Sequence, residues 1–465
     1  MNTAPSEIGM VDIQQILTEQ RQYFRSGRTK NLEFRLQHLA RLKDAIVQNE
    51  AAILKALNED LSKSTYEGYL SEVGVVLNEL RLAGRKLKSW ARPRRVRTPF
   101  TLWVGSSRIY YEPFGTALII APWNYPFQLS IAPLIGSIAA GNCCVLKPSE
   151  YAPHTAAILS QMIASHFDSS YLAVIEGDAQ VGEALLRERF DYIFFTGSVT
   201  VGKMVMAAAA RHLTPVTLEL GGKSPCIIDQ DANIEQAARR IAFGKFLNAG
   251  QTCIAPDYLL VHKSNIQRLQ EHLENYVQQF YGSNPQKSPD YARIIDRRHF
   301  DRLVALLDGS RILFGGQSDP EDLYIAPTLI EDPGWEHPIM HEEIFGPILP
   351  LLPFDDLAEV VSLLNSRPKP LALYVFSNRP QNYQKVIEEI SFGAGCINDT
   401  VVHFANTHLP FGGVGNSGMG RYHGKASFEA FSHQKGIFKK SFAYEPPLRY
   451  PPYKNKLAIL RKILR

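Results

Sequence analysis

The chain has 465 residues, 45% of them hydrophobic and 21% charged, the composition of a globular enzyme long enough for about three domains of roughly 150 residues each. Its five cysteines, Cys143, Cys144, Cys226, Cys253 and Cys396, are odd in number, scattered and without a CxxC pair, which argues against a disulfide framework or zinc ribbon and suits a reducing, cytoplasmic setting. The net charge of +4 is mild, the N-terminus lacks a basic-then-apolar leader, and no apolar run reaches about 18 residues, so neither a secretory signal nor a membrane span is expected.

In chain order, Leu32, Leu36, Leu39, Leu42 and Ile46 recur at helical spacing and predict one amphipathic helix. A basic cluster, Arg92 to Arg97, follows; no aromatic RNA signature or zinc finger accompanies it, so nucleic acid is not an expected partner. Thr101–Val104 and Arg108–Tyr111, around Gly105-Ser106, read as a β-hairpin. From Thr116 a strand–helix alternation begins, with short apolar runs at 116–121, 143–147, 172–175 and 192–195. Continuous apolar strands between helices predict a parallel sheet covered on both faces, a Rossmann-like α/β unit. A second alternation runs from about Val216 to Asn398, with strands at Ile227-Ile228, Tyr258–Val261 and Leu371–Phe376 and helices at Ile234–Phe246 and Ile266–Phe280. The glycine-rich stretch Pro410–Gly420 predicts tight turns or close backbone approach rather than a helix.

Four places carry chemistry. Gly197-Ser-Val-Thr-Val-Gly202-Lys203 follows a strand and opens an Ala-rich helix, but Met204 stands where a Walker A loop needs Ser or Thr. The free N–H groups and positive dipole end of such a helix start suit a pyrophosphate equally well, and a plain βα turn has the same pattern. Lys147-Pro-Ser-Glu150, at a strand end, offers a Lys and a Glu for ribose hydroxyls, or simply a helix start. Glu219, between Leu218 and Leu220, is expected to be desolvated, which raises a carboxyl towards the range of a useful base. Cys253 lies in the polar run Asn248-Ala-Gly-Gln-Thr-Cys253, where a thiol is either reactive or inert; Cys226, between Pro225 and Ile227, reads as core. His341-Glu342-Glu343 lacks metal-binding spacing, His403 and His408 read as structural, and no metal is expected.

Taken together, Ala121-Pro-Trp-Asn124-Tyr-Pro, Leu146-Lys-Pro-Ser-Glu150, Phe195-Thr-Gly-Ser198, Leu218-Glu-Leu-Gly-Gly-Lys223, Gly250-Gln-Thr-Cys253, Glu342-Glu-Ile-Phe-Gly-Pro347 and Pro410-Phe-Gly-Gly413 resemble, in order and spacing, the aldehyde dehydrogenase superfamily from about Tyr23 to Tyr453. Phe24-Arg-Ser-Gly-Arg-Thr29, Gly415 to Gly424, Phe428 to His433 and Arg449-Tyr-Pro-Pro-Tyr453 resemble its class 3, the fatty and aromatic aldehyde branch. The resemblance implies a Rossmann-like NAD(P)-binding domain over 1–88 and 108–215, a second α/β catalytic domain over 216–398, and a small β oligomerisation arm over 89–107 and 399–445, joining two copies in a homodimer. It implies Cys253 as nucleophile, Asn124 as oxyanion donor and Glu219 as base for deacylation. It places Lys147 and Glu150 at the adenosine ribose, Gly197, Ser198 and Gly202 at the pyrophosphate, and Glu343 and Phe345 at the nicotinamide end, with Thr196 also at the cofactor. NAD is the expected cofactor and NADP an accepted alternative, with a medium- or long-chain aliphatic or aromatic aldehyde as substrate. A coenzyme-A-acylating relative, a P-loop nucleotide-binding protein and a catalytically silent scaffold are the rival readings; Glu219 in its expected place disfavours the first, Met204 the second, and the intact Cys, Glu and Asn set the third. Tyr69, Trp123 and His403 are candidate walls of the aldehyde pocket. The basic, amphipathic tail over 446–465 is a candidate for peripheral membrane contact.

Overall fold

The computed structural model describes residues 8–464; Met1–Glu7, part of the N-terminus read above for a leader, and Arg465 lie outside them. The expected amphipathic helix spans Leu32–Gln48, capped by Asn31, whose side chain accepts from the N–H groups of Glu33 (2.8 Å) and Phe34 (3.2 Å). Leu39, Leu42 and Ile46 of its stripe are buried.

Strands β1 (Arg94–Val96) and β2 (Gly105–Pro113) pair antiparallel, so a hairpin forms, but not with the expected first strand. Residues Phe100–Leu102 make a single 3-10 turn, and Val104 is left-handed (φ 66°). Pro99 explains the shift: it has no N–H for a ladder and presets the dihedral of a turn, so pairing stops before it.

Strands β3 (Thr116–Ile120), β4 (Cys143–Lys147), β5 (Leu172–Val174), β6 (Tyr192–Thr196) and β7 (Val216–Glu219) form a parallel array. β4 and β6 are buried along their whole length, as strands covered on both faces must be. β7 still belongs to this sheet, so the change of sheet falls after Glu219 rather than at residue 216. Strands β8 (Pro225–Ile228), β9 (Tyr258–His262), β10 (Ile312–Phe314), the small pair β11 (Ser318–Asp319) and β12 (Tyr324–Ile325), β13 (Thr328–Glu331), β14 (Ile348–Phe354), β15 (Ala372–Phe376) and β16 (Ala394–Ile397) follow. All except the small pair join a seven-stranded sheet in the order β10-β13-β14-β9-β8-β15-β16, parallel but for β10.

The glycine-rich stretch turns tightly, as expected, and contributes β17 (Gly418–Met419), which runs antiparallel to β7 and pairs Gly418 with Glu219. At Gly418 (φ 134°) a Cβ would lie 2.0 Å from the Leu218 carbonyl oxygen, so only glycine allows this approach beside Glu219. β18 (Ser432–Lys440) pairs with β2 over nine residues and completes a three-stranded sheet, order β1-β2-β18. Among the described residues no helix is long and apolar enough to cross a membrane.

Candidate active site

The first sheet delivers three candidate positions at the carboxyl ends of neighbouring strands: Asn124 just beyond β3, Thr196 at the end of β6 and Glu219 at the end of β7. The second sheet delivers Cys253 on the segment between the helix Ile234–Phe246 and β9. That segment is strained. Asn248 (φ 54°) and Ala249 (φ 49°) are left-handed in succession, at about 1–2 kcal/mol each for residues with a Cβ. Buried hydrogen bonds hold them there. The Asn248 N–H donates to Glu67 Oε1 at 2.8 Å. Gln251 Nε2 donates to the Asn248 and Arg293 carbonyls at 3.0 and 2.9 Å, and its Oε1 accepts from the Ile295 N–H at 3.0 Å. Such strain persists only where surroundings over-determine it.

Cys253 is half-buried, and burial, with the Glu343 and Glu219 carboxylates nearby, pushes its thiol up; the resting group is neutral. Asn124 is 3% exposed, and one N–H of its carboxamide donates to the Gln251 carbonyl at 3.0 Å, which ties it to the cysteine's own loop. Glu219 is 2% exposed, neither carboxylate oxygen has a partner among the described residues, and burial holds its carboxyl well above the usual range. A buried acid without a partner costs stability, which makes Glu219 a candidate for chemistry.

Cys253, Glu219 and Thr196 line two cavities. One, of about 580 Å³, is the more polar of the two and is bordered by Gly197, Ser198, Glu343, Phe345 and Asn124. The other, of about 190 Å³, is walled by Leu70, Phe243, Val402, Phe404, Phe411 and other apolar side chains. At the polar cavity Ser198 caps the helix Val199–Ala210 by accepting from the Val201 N–H at 3.3 Å. Gly202 lies one turn further and packs on Leu220, where a Cβ would come within 2.5 Å; it does not line the cavity. Lys203 and Met204 are exposed, so neither the lysine nor a hydroxyl of a Walker A loop faces this space. Lys147 and Glu150 stand at the carboxyl end of β4, paired at 3.2 Å, outside the cavity's lining.

Glu343 packs on the Gly221 backbone so closely that a Cβ there would lie 1.9 Å from its Oε2. Burial, and then Asp257, push its carboxyl up to about 8, against the Gly222 N–H and Lys223. Phe345 is left-handed (φ 53°) and meets Trp123 edge-on at 5.3 Å. Of the three candidate aldehyde-pocket walls, Trp123 instead borders the polar cavity, Leu70 takes the place expected of Tyr69, and His403 sits behind the wall, stacked on Phe411 at 6.0 Å. Which side chains reach a cavity wall depends on packing along a helix turn and on the order of stacked rings, not on residue type alone.

Sequence reasoning missed the clamps behind the site. Lys223 is ion-paired with Asp257 and donates to the Ile339 and Glu342 carbonyls at 2.8 and 2.9 Å. Asp257 in turn accepts from the Ile344 N–H at 2.8 Å, and Arg302 donates to the Ile344 carbonyl at 2.5 Å. Together they fix the loop that carries Glu343. The partners lie up to 119 positions apart in sequence, and no local pattern announces such pairs.

Comparison with known proteins gives the family and the fold. The aldehyde dehydrogenase family model matches residues 4–437. The chain is 49% identical over 451 residues to the 4,4'-diaponeurosporen-aldehyde dehydrogenase of Staphylococcus aureus, covering 97% of this chain and 98% of the relative. It is 46% identical over 450 residues to the dimeric NADP-preferring aldehyde dehydrogenase of Rattus norvegicus, covering 96% and 99%. The solved substrate-bound Staphylococcus aureus AldH superposes with a TM-score of 0.96 at 47% identity over the whole of both chains. An indole-3-acetaldehyde dehydrogenase solved with NAD⁺ superposes at 0.84 with 26% identity, over 93% of this chain and 89% of that one.

Proposed function

The chain belongs to the aldehyde dehydrogenase family, which uses NAD(P), and from that premise we propose that it oxidises apolar aldehydes, medium- or long-chain aliphatic or aromatic, to carboxylic acids through Cys253. The observation that carries this reading is that Cys253 and Glu219 border a polar cavity and an apolar one at once. A hydrophobic aldehyde entering from the apolar side meets the thiol at the edge of the cofactor's space.

The polar cavity suits a dinucleotide. It is bordered by a capped helix N-terminus and by the cationic Arg298, Arg302, Arg367 and Lys369, both favourable to a pyrophosphate. Thr196, Gly197 and Ser198 would hold that group, with Gly202 setting the close packing of the helix behind them. Glu343 and Phe345 would hold the nicotinamide end, and Lys147 with Glu150 the adenosine ribose. A carboxylate at that ribose favours NAD over NADP by charge. When bound, the dinucleotide supplies the hydride acceptor.

The chain's own residues do the rest. The Cys253 thiol gives its proton to water and the sulfur bonds to the aldehyde carbon, while the carbonyl π pair moves to oxygen as an oxyanion facing the Asn124 carboxamide and the Cys253 N–H. Oxidation of this thiohemiacetal leaves a thioester on sulfur. Glu219 then takes a proton from water, which attacks the thioester carbon; the C–S bond breaks, the acid leaves and the thiol is restored. A buried base beside the thioester supports hydrolysis over transfer to another thiol. Cys253→Ala is expected to abolish NADH formation, and Glu219→Gln to leave one burst of NADH per site with steady turnover stalled. Sustained turnover in the cysteine variant would overturn the mechanism.

Two copies are proposed to join through the β1-β2-β18 sheet, in line with the rat relative described as dimeric. Peripheral contact of the C-terminal tail with an anionic membrane belongs to the same reading.

A further inference from the structure

Lys63 follows the helix Glu50–Leu61 and its left-handed end at Ser62 (φ 54°). It is 0% exposed, and its ammonium lies 2.5 Å from Oε1 of Glu72, also fully buried. An ion pair withdrawn this far from water contributes little net stability, because desolvation offsets most of the attraction. Its other contacts point elsewhere. Lys63 Nζ donates to the Asn124 carbonyl at 2.9 Å and lies 4.0 Å from the Tyr125 ring centre. The second oxygen of Glu72 accepts from the N–H groups of Phe127 (2.9 Å) and Gln128 (3.1 Å), the backbone just past Asn124. Glu72 itself sits on a π-helical turn, Tyr69–Val73, an irregularity frequent at functional sites.

The same Asn124 carbonyl accepts from Asn248 Nδ2 at 2.8 Å, and Asn248 begins the strained turn that leads to Cys253. Asn248 Nδ2 also reaches the Gln251 carbonyl at 3.1 Å, the acceptor that the Asn124 carboxamide uses. One backbone carbonyl therefore joins the segment that carries the oxyanion donor to the segment that carries the nucleophile, and a buried ammonium holds it.

We propose that Lys63, held by Glu72, is a positioning residue for thiohemiacetal formation: by fixing the Asn124 carbonyl as a shared anchor, it keeps the Asn124 carboxamide and Cys253 in one relative placement. This rests on the roles proposed above for those two residues. Oxyanion stabilisation is sensitive to misplacement of well under 1 Å, so a loosened anchor lowers turnover while leaving the dinucleotide's walls intact.

The test is a double-mutant cycle. Lys63→Met/Glu72→Gln removes both charges, so neither is left buried alone. Asn248→Gly keeps the left-handed turn and removes the other donor to the same carbonyl, which covers the case in which the first variant does not fold. Each is assayed alone and combined with Asn124→Ala, for kcat, dinucleotide Kd and a cooperative melt. We expect kcat to fall about 10- to 100-fold with Kd within about twofold, and little further fall in the Asn124→Ala background. Unchanged kcat in a folded variant, or full additivity with Asn124→Ala, overturns the proposal while leaving the oxyanion role standing. Unchanged kcat in Asn124→Ala alone overturns that role and the proposal together.

Discussion

Cys253 and Glu219 are shifted in the same direction for the same reason: burial favours the uncharged thiol and the uncharged carboxyl. Both reacting forms, the thiolate and the carboxylate, therefore become more populated as pH rises. The expected outcome is a kcat that climbs with pH across the range in which the protein stays folded, with the deacylation limb missing in Glu219→Gln. A wild-type rate that falls over this range would contradict the assignment. Glu79 carries the same physics into stability. It is fully buried, accepts from the Gly424 N–H at 2.8 Å, and desolvation pushes its carboxyl up to about 7. The unfolded chain loses this proton near pH 4.5 while the folded one keeps it to about 7. Stability is thus full below the lower value, falls as pH rises between the two, and levels off above. Glu79→Gln keeps an acceptor for Gly424 and should flatten this slope, worth on the order of 3 kcal/mol, in melts taken from pH 4 to pH 8.

At the scale of elements, the loop that leaves the 3-10 turn Pro338–Met340 and runs to Phe345 has no regular structure, and Lys223, Asp257 and Arg302 clamp its backbone. Lys223→Met leaves Asp257 without its cation and frees two carbonyls of the loop. Charge-assisted hydrogen bonds of this kind contribute about 1.5–3 kcal/mol each, so the KM for dinucleotide should rise about tenfold or more with kcat less affected. An unchanged KM would mean that the loop holds its shape without this clamp. The contrast with what the sequence made legible is physical. β3, β4, β6 and β9 were readable because each is a short apolar run bounded by turns, a local signal. Cys253, Glu219 and Asn124 were readable through motifs. The Lys223 and Lys63 clamps were not, since their partners come from other elements and neither lysine differs locally from a surface one. The first strand of the arm was misplaced because β-prone residues after Pro99 outweighed the proline itself.

At the scale of the molecule, the tail is what the fold leaves unpartnered. The helix Leu457–Leu464 has no buried residue, and Leu457, Leu460 and Leu464 share one face with Ile463 beside them, all exposed. Lys454, Lys456, Arg461 and Lys462 surround that face. Exposed leucines with flanking cations suit an anionic bilayer surface, where each basic residue contributes about 1 kcal/mol and the apolar face adds its burial. The expected outcome is co-sedimentation of the full chain with vesicles containing phosphatidylserine, weakened by 0.5 M salt as screening on the order of a few ångströms sets in. The chain ending at Tyr453 should lose this binding and keep its turnover of a water-soluble aldehyde, because no tail residue lines either cavity at Cys253. Equal sedimentation of both chains would remove the membrane from the reading. A truncated chain that also runs as a monomer in gel filtration would place the same leucines against a second copy instead, since a face this apolar needs one cover or the other.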